Sequence, residues 1–133
     1  MIELKSRLLN STFILFVIIT IFMFYIFYKA EFEFVGIVSI TVFEFILMYL
    51  LLTPSMHTFK LCNDSFIINN LLNPLKEIEL KTDSIEVIER KSISFRGNCI
   101  VVKIKSGKKY IFGTEGVRKN EIDEFLRLIK EKL

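Results

Sequence analysis

Two long apolar stretches open the chain. From Leu8 to Tyr28 the polar interruptions are Asn10, Ser11, Thr12 and Thr20, and from Phe34 to Leu52 they are Ser39, Thr41 and Glu44. A helix rises about 1.5 Å per residue, so about 20 residues cross the ~30 Å hydrocarbon of a bilayer. The pattern therefore predicts spans over about 8–28 and 34–52. The short link Lys29–Glu33 turns the second back antiparallel to the first. Tyr25, Tyr28 and Tyr49 fall toward the ends, where amphipathic rings favour the interface. Thr53-Pro54-Ser55 closes the second stretch, because proline cannot continue a helix. The first span does not read as a cleaved signal: its apolar run is long, and "FYKAEF" offers no small-x-small cleavage site.

Beyond Pro54 the period shortens. Thr58–Cys62 and Ser65–Asn69 read as strands joined by the tight-turn pair Asn63-Asp64. Leu75–Leu80 follows, with Leu75, Ile78 and Leu80 as its apolar positions, and then the Ile/Val-rich Ser84–Arg90. Cys99–Lys105 shows period two at its end, with Ile100, Val102 and Ile104 on one face and Lys103 and Lys105 on the other, and Ser106-Gly107 turns the chain into Lys108–Phe112. The last segment changes to helical spacing: Ile122, Phe125, Leu126, Ile129 and Leu133 form one stripe within Asn120–Leu133. Asn120 is the expected cap, with acidic residues in the first turn and Lys130 and Lys132 in the last. The expectation is a hairpin over 1–55 and a soluble part over 56–133, with about six strands and one amphipathic helix.

Composition sharpens this division. Of 133 residues 52% are hydrophobic, and the mean hydropathy is +0.47. From Pro54 onward there are fifteen Lys/Arg and eleven Asp/Glu, a net +4. Lys5 and Arg7 precede the first span and Lys29 stands alone in the link, so the positive-inside rule puts both termini in the cytoplasm. Cys62 and Cys99 then sit in a reducing compartment, where a thiol among apolar neighbours acts as a small core residue.

A helix hairpin followed by "FKLCNDSFIINN", "LKEIELKTDSIEVIERK", "NCIVVKIKSGKKYIFG" and "NEIDEFLRLIKEKL" resembles the small bacterial membrane proteins that carry a pleckstrin-homology-like domain. The likeness covers nearly the whole chain, as an order of elements and a hydrophobic pattern. It includes the Ile-x-x-Ile step of that family at Ile85–Ile88. The resemblance implies an α+β membrane protein: a transmembrane hairpin, then a small antiparallel sheet or partial barrel plugged by a C-terminal amphipathic helix. It implies location in the bacterial cell membrane and no catalytic residues. Small proteins of this appearance are also associated with immunity to membrane-active bacteriocins.

Little in the chain suggests catalysis. One histidine, His57, and two separated cysteines cannot assemble a zinc site, and no glycine-rich phosphate loop is present. No cofactor is expected. His57 lies just after the second span and reads as a linker residue. Lys103, Lys105, Lys108 and Lys109 crowd one strand turn. Near an anionic leaflet each would add ~1 kcal/mol of attraction, and the alternative is a solvated strand face. A net +4, few exposed aromatics and a tether argue against nucleic acid. Glu44 costs about 3 kcal/mol in mid-span, against roughly 4–7 kcal/mol favouring insertion from the surrounding Leu, Ile, Phe and Val. Helical spacing puts it on one face with Ile40 and Gly36, where glycine permits close helix approach, and Thr20 falls at similar depth. Three roles stay open for Glu44: a clasp to Thr20 or backbone, contact with a membrane partner or second copy, or ion or proton handling. The functional expectation is a non-catalytic anchored domain that binds a protein partner or anionic lipid headgroups, the alternative being self-protection against a bacteriocin peptide.

Overall fold

The computed structural model describes residues 2–7, 11–94 and 96–133. The two apolar stretches form α1 (Ser11–Lys29) and α2 (Phe34–Leu52), each 19 residues, and both are long and apolar enough to cross a membrane. Leu8–Asn10, where the first span was expected to begin, lies outside the described residues. No residue of α1, and in α2 only Leu52, is buried; a half-buried stripe on each helix faces the other, and the remaining apolar side chains face outward. The link turns through Glu31 at φ 53°, and the Phe27 and Phe32 rings pack 5.0 Å apart beside it.

Polar interruptions in the helices are absorbed locally. Thr20, Ser39 and Thr41 donate to the carbonyls of Phe16, Val35 and Ile37, and Thr53 donates to Tyr49. Back-bonding of this kind satisfies a hydroxyl where water is excluded.

The chain before α1 is a strand, β1 (Ile2–Lys5), and it pairs antiparallel with β2 (His57–Cys62), the strand that follows α2. The meander continues through β3 (Ser65–Asn70) and β4 (Glu77–Lys81) to give the order β1-β2-β3-β4. A second meander holds β5 (Ile85–Ile93), β6 (Gly97–Ile104) and β7 (Lys109–Gly113). An isolated antiparallel bridge, Met56–Thr114, brings the entry of β2 to the exit of β7. The helix α3 (Lys119–Lys130) closes the structure. This is an α+β arrangement: two apolar helices, two antiparallel sheets and a C-terminal helix. The expectation drew the soluble part from residue 56 onward with six strands; the seventh, β1, joins from the other side of the hairpin.

One core spans both sheets and α3. Alternation turns Leu4, Phe59, Leu61, Phe66 and Ile68 inward from the first sheet and Ile88, Ile100, Val102 and Phe112 from the second. Against them lie Ile122, Phe125, Leu126 and Ile129 of α3. Phe59 is the hub, with its ring 6.2 Å from Phe66, 6.0 Å from Phe112 and 6.2 Å from Phe125.

Three expectations need correcting. Leu75 is 94% exposed because it lies in the turn before β4, closed by the Lys76 amide on the Asn73 carbonyl, and not in the strand. The helix starts one residue earlier than expected, with Arg118 at the cap position and its amide bonded to the Glu121 carboxylate at 3.3 Å. Leu133 lies past the end of α3 and is exposed rather than on the stripe.

Candidate functional site

The densest polar network lies where the helix ends meet the sheets. Ser6, Ser55, His57, Thr58, Asn70 and Thr114 are all buried there. Ser6 and His57 exchange two bonds: the Ser6 amide donates to the His57 carbonyl at 2.9 Å, and the His57 amide to Ser6 Oγ at 3.1 Å. The His57 ring reaches the Gly113 carbonyl through Nδ1 at 3.1 Å and Asn70 Nδ2 through Nε2 at 3.4 Å. A neutral ring protonated on Nδ1 fits both contacts, donating to the carbonyl and accepting from the amide. Burial pushes the imidazole below its ordinary pKa, and the Gly113 carbonyl only partly offsets this. His57, expected to be a linker residue, is thus a buried junction residue.

Asn70 ties the same end together from the first sheet. Its Nδ2 donates to the Thr53 carbonyl at 2.6 Å, and its Oδ1 accepts the amides of Leu72 and Asn73 at 3.0 and 2.9 Å. Tyr49, in the last turn of α2, donates to the Leu72 carbonyl at 3.2 Å. From the second sheet, the Glu115 amide donates to the Ser55 carbonyl at 2.9 Å, and Thr12 in α1 donates to the Glu115 carboxylate at 2.9 Å. Gly113 is pressed against this junction so closely that a Cβ there would lie 2.4 Å from Ser55 Cα.

Beside the network, a groove of about 500 Å³ runs between the end of α2, the β3–β4 loop, the β5–β6 turn and β7. Its lining combines the apolar Leu50, Pro54, Ile111 and Phe112 with Lys76 and Arg96, and includes no carboxylate among the described residues.

The structure brings Lys103, Lys105, Lys108 and Lys109 together on the β6–β7 turn, at the opposite pole. The Lys105 amide bonds to Ser84 and the Thr82 amide to Asp64, placing this turn with the β2–β3 turn. The six residues of β2 separate that pole from the helix ends, about 17 Å at ~3.3 Å per residue. Lys103 pairs with Glu86 at 2.9 Å, and Lys108 lies 4.8 Å over the Tyr110 ring.

Glu44 and Thr20 line one cavity of about 210 Å³ between the helices, with Phe13, Phe16, Phe45 and Met48. They are neighbours but not a clasp: the Thr20 proton goes to Phe16, and Glu44 Oε1 is buried with no hydrogen-bond partner. Gly36 does not meet α1, since a Cβ there would touch only Phe32 at 3.4 Å. Among the described residues no group of His, Cys, Asp and Glu could hold a metal. Both cysteines are free, and burial pushes the Cys99 thiol up.

The junction went unread in the sequence because its members are scattered from Ser6 to Glu115. One signal was available: Ile2-Glu3-Leu4-Lys5 alternates as a strand does. Comparison with known proteins finds no family model that matches the chain and no match among curated proteins.

Proposed function

We propose that this chain is a non-catalytic integral membrane protein whose helical hairpin holds a pleckstrin-homology-like domain at the cytoplasmic face of a bacterial cell membrane, where the domain binds a protein or anionic lipid headgroups. The observation that carries the reading is the β1–β2 pairing. It makes the hairpin an insertion within a sheet, and side chains at both helix ends bond to the domain: Thr12 to Glu115 and Tyr49 to Leu72. Outward-facing apolar side chains on α1 and α2 support insertion, since lipid is the solvent that suits them. A four-strand meander, a three-strand meander and a C-terminal helix on the core support the domain assignment. The Lys/Arg bias around the helices supports the cytoplasmic orientation.

The orphan carboxylate of Glu44 favours a second reading, in which the hairpin meets a hydrophobic peptide or another membrane helix in the bilayer. A bacteriocin peptide is one such occupant, and a second copy of this chain another.

Carbonate extraction and cysteine labelling test the anchor. The protein should stay in the membrane pellet. In a variant lacking native cysteines, a membrane-impermeant maleimide should label Glu31→Cys in intact cells and Glu131→Cys only after lysis. Release by carbonate, or labelling of position 131 in intact cells, would refute the proposal. Protection of cells expressing the protein against a panel of membrane-active peptides decides the second reading, and Glu44→Leu should remove that protection if the carboxylate makes the contact.

A further inference from the structure

We infer that the groove between the end of α2 and β7 is a binding site for one anionic phospholipid, its phosphate held by Lys76 and Arg96. The inference rests on the membrane reading above and locates the headgroup contact within it. Position argues first. Tyr49 and Leu50 lie in the last turn of α2, so in a spanning hairpin the groove opens at headgroup depth. Leu75, 94% exposed beside Lys76, projects from the same loop and has no place in the core. A large apolar side chain held out at that level suits the acyl boundary rather than water.

Charge argues next. Lys76 and Arg96 come from separate elements, the β3–β4 loop and the β5–β6 turn, and meet in one groove without a lining carboxylate. Neither joins an ion pair among the described residues, whereas Lys60, Arg90, Lys91 and Lys103 each do. Asn73 adds a polar side chain to the lining, and Leu50, Pro54, Ile111 and Phe112 add apolar surface. A ligand with a phosphate at one end and hydrocarbon at the other matches this mixed lining. The four lysines of the β6–β7 turn lie at the far end of β6 from Arg96, where Lys103 pairs with Lys109; the six steps from Gly97 to Lys103 span about 20 Å at ~3.3 Å per residue, beyond two screening lengths at physiological salt.

Native mass spectrometry of the full chain in detergent tests this with phosphatidylglycerol, phosphatidylcholine and glycerol phosphate as probes. One phosphatidylglycerol should be retained in preference to phosphatidylcholine. Each cation near the surface contributes about 1 kcal/mol, so Lys76→Ala with Arg96→Ala should weaken retention roughly thirtyfold. Lys76→Arg with Arg96→Lys should restore most of it, and Lys105→Ala with Lys109→Ala should change nothing. Unchanged melting temperature in detergent shows that the variants fold. Equal retention of the two lipids, retention insensitive to the double substitution, or loss on removing the far lysines would each overturn the inference. So would glycerol phosphate binding as tightly as the lipid, because the apolar wall would then have no part. Carbonate release of the chain would instead strike down the membrane reading itself, so the two failures are distinguishable.

Discussion

Replacing Gly113 by alanine is the sharpest probe of the junction. The added Cβ would sit 2.4 Å from Ser55 Cα and 2.9 Å from both the carbonyl carbon and oxygen of Ser55. All three are backbone atoms, so no side-chain rotation relieves the clash. Ordinary contact needs about 3.5 Å, and the 3₁₀ turn Thr53–Ser55 would have to move by about 1 Å. That turn is bonded to Glu115 and Asn70, so the displacement is resisted from both sheets. Overpacking costs typically 1–3 kcal/mol, and a backbone clash belongs at the upper end. Gly113 is not in the left-handed region, so restricting the unfolded chain returns about 0.5 kcal/mol. The net is about 2 kcal/mol, a fall in melting temperature of roughly 10 °C for a domain of this size. Thermal denaturation of the detergent-solubilised protein, followed by the β signal in circular dichroism, measures it. Adding Ser55→Gly should not rescue the variant, because the obstructing atoms are common to every residue. A melting temperature within about 2 °C of the parent, or full rescue by Ser55→Gly, would refute the reasoning.

Other outcomes follow from the same geometry. The folded chain binds a proton at His57 less readily than the unfolded chain, so stability should be full above about pH 6.5 and fall as the pH drops below it. Melting curves at pH 7.5 and 5.5 should show this decline in the parent and a smaller one in His57→Gln; equal declines would remove the histidine from the account. Glu44→Leu should insert more readily, by about 3 kcal/mol on a translocon scale, because the buried oxygen has no bond to lose. A less stable hairpin in that variant, seen by proteolysis of the link, would restore the clasp. Leu4→Ala should cost about 2–4 kcal/mol although it lies before the first helix, since its side chain belongs to the core. Unchanged melting of that variant would mean that β1 contributes nothing to the sheet.

Most of the elements were legible because their periods are clean. The two apolar stretches, the Asn63-Asp64 turn and the helical stripe at Ile122, Phe125, Leu126 and Ile129 all declare themselves locally. Leu75 misled because an apolar residue next to a strand reads as part of it, whereas the Pro74–Leu75 turn holds it outside β4. Glu44 and Thr20 line one cavity, but a shared cavity says nothing about where a hydroxyl proton goes, and that of Thr20 goes to the Phe16 carbonyl. Ile2–Lys5 was overshadowed by its place ahead of a membrane-like stretch. The groove was invisible, since Lys76 and Arg96 are twenty positions apart and meet only when two sheets close.

The interrupted β1–β2 pairing bears on how the chain is made. Leu4 and its partner Phe59 are 55 positions apart, with both helices between them. In the membrane reading proposed above, the sheet closes only if the chain returns to the side of the bilayer from which it entered. A hairpin that failed to turn back would strand β1 across the bilayer and leave β2 as an open edge, which invites aggregation and proteolysis. On that reading, folding of the domain acts as a checkpoint on topology, built from the four residues of β1.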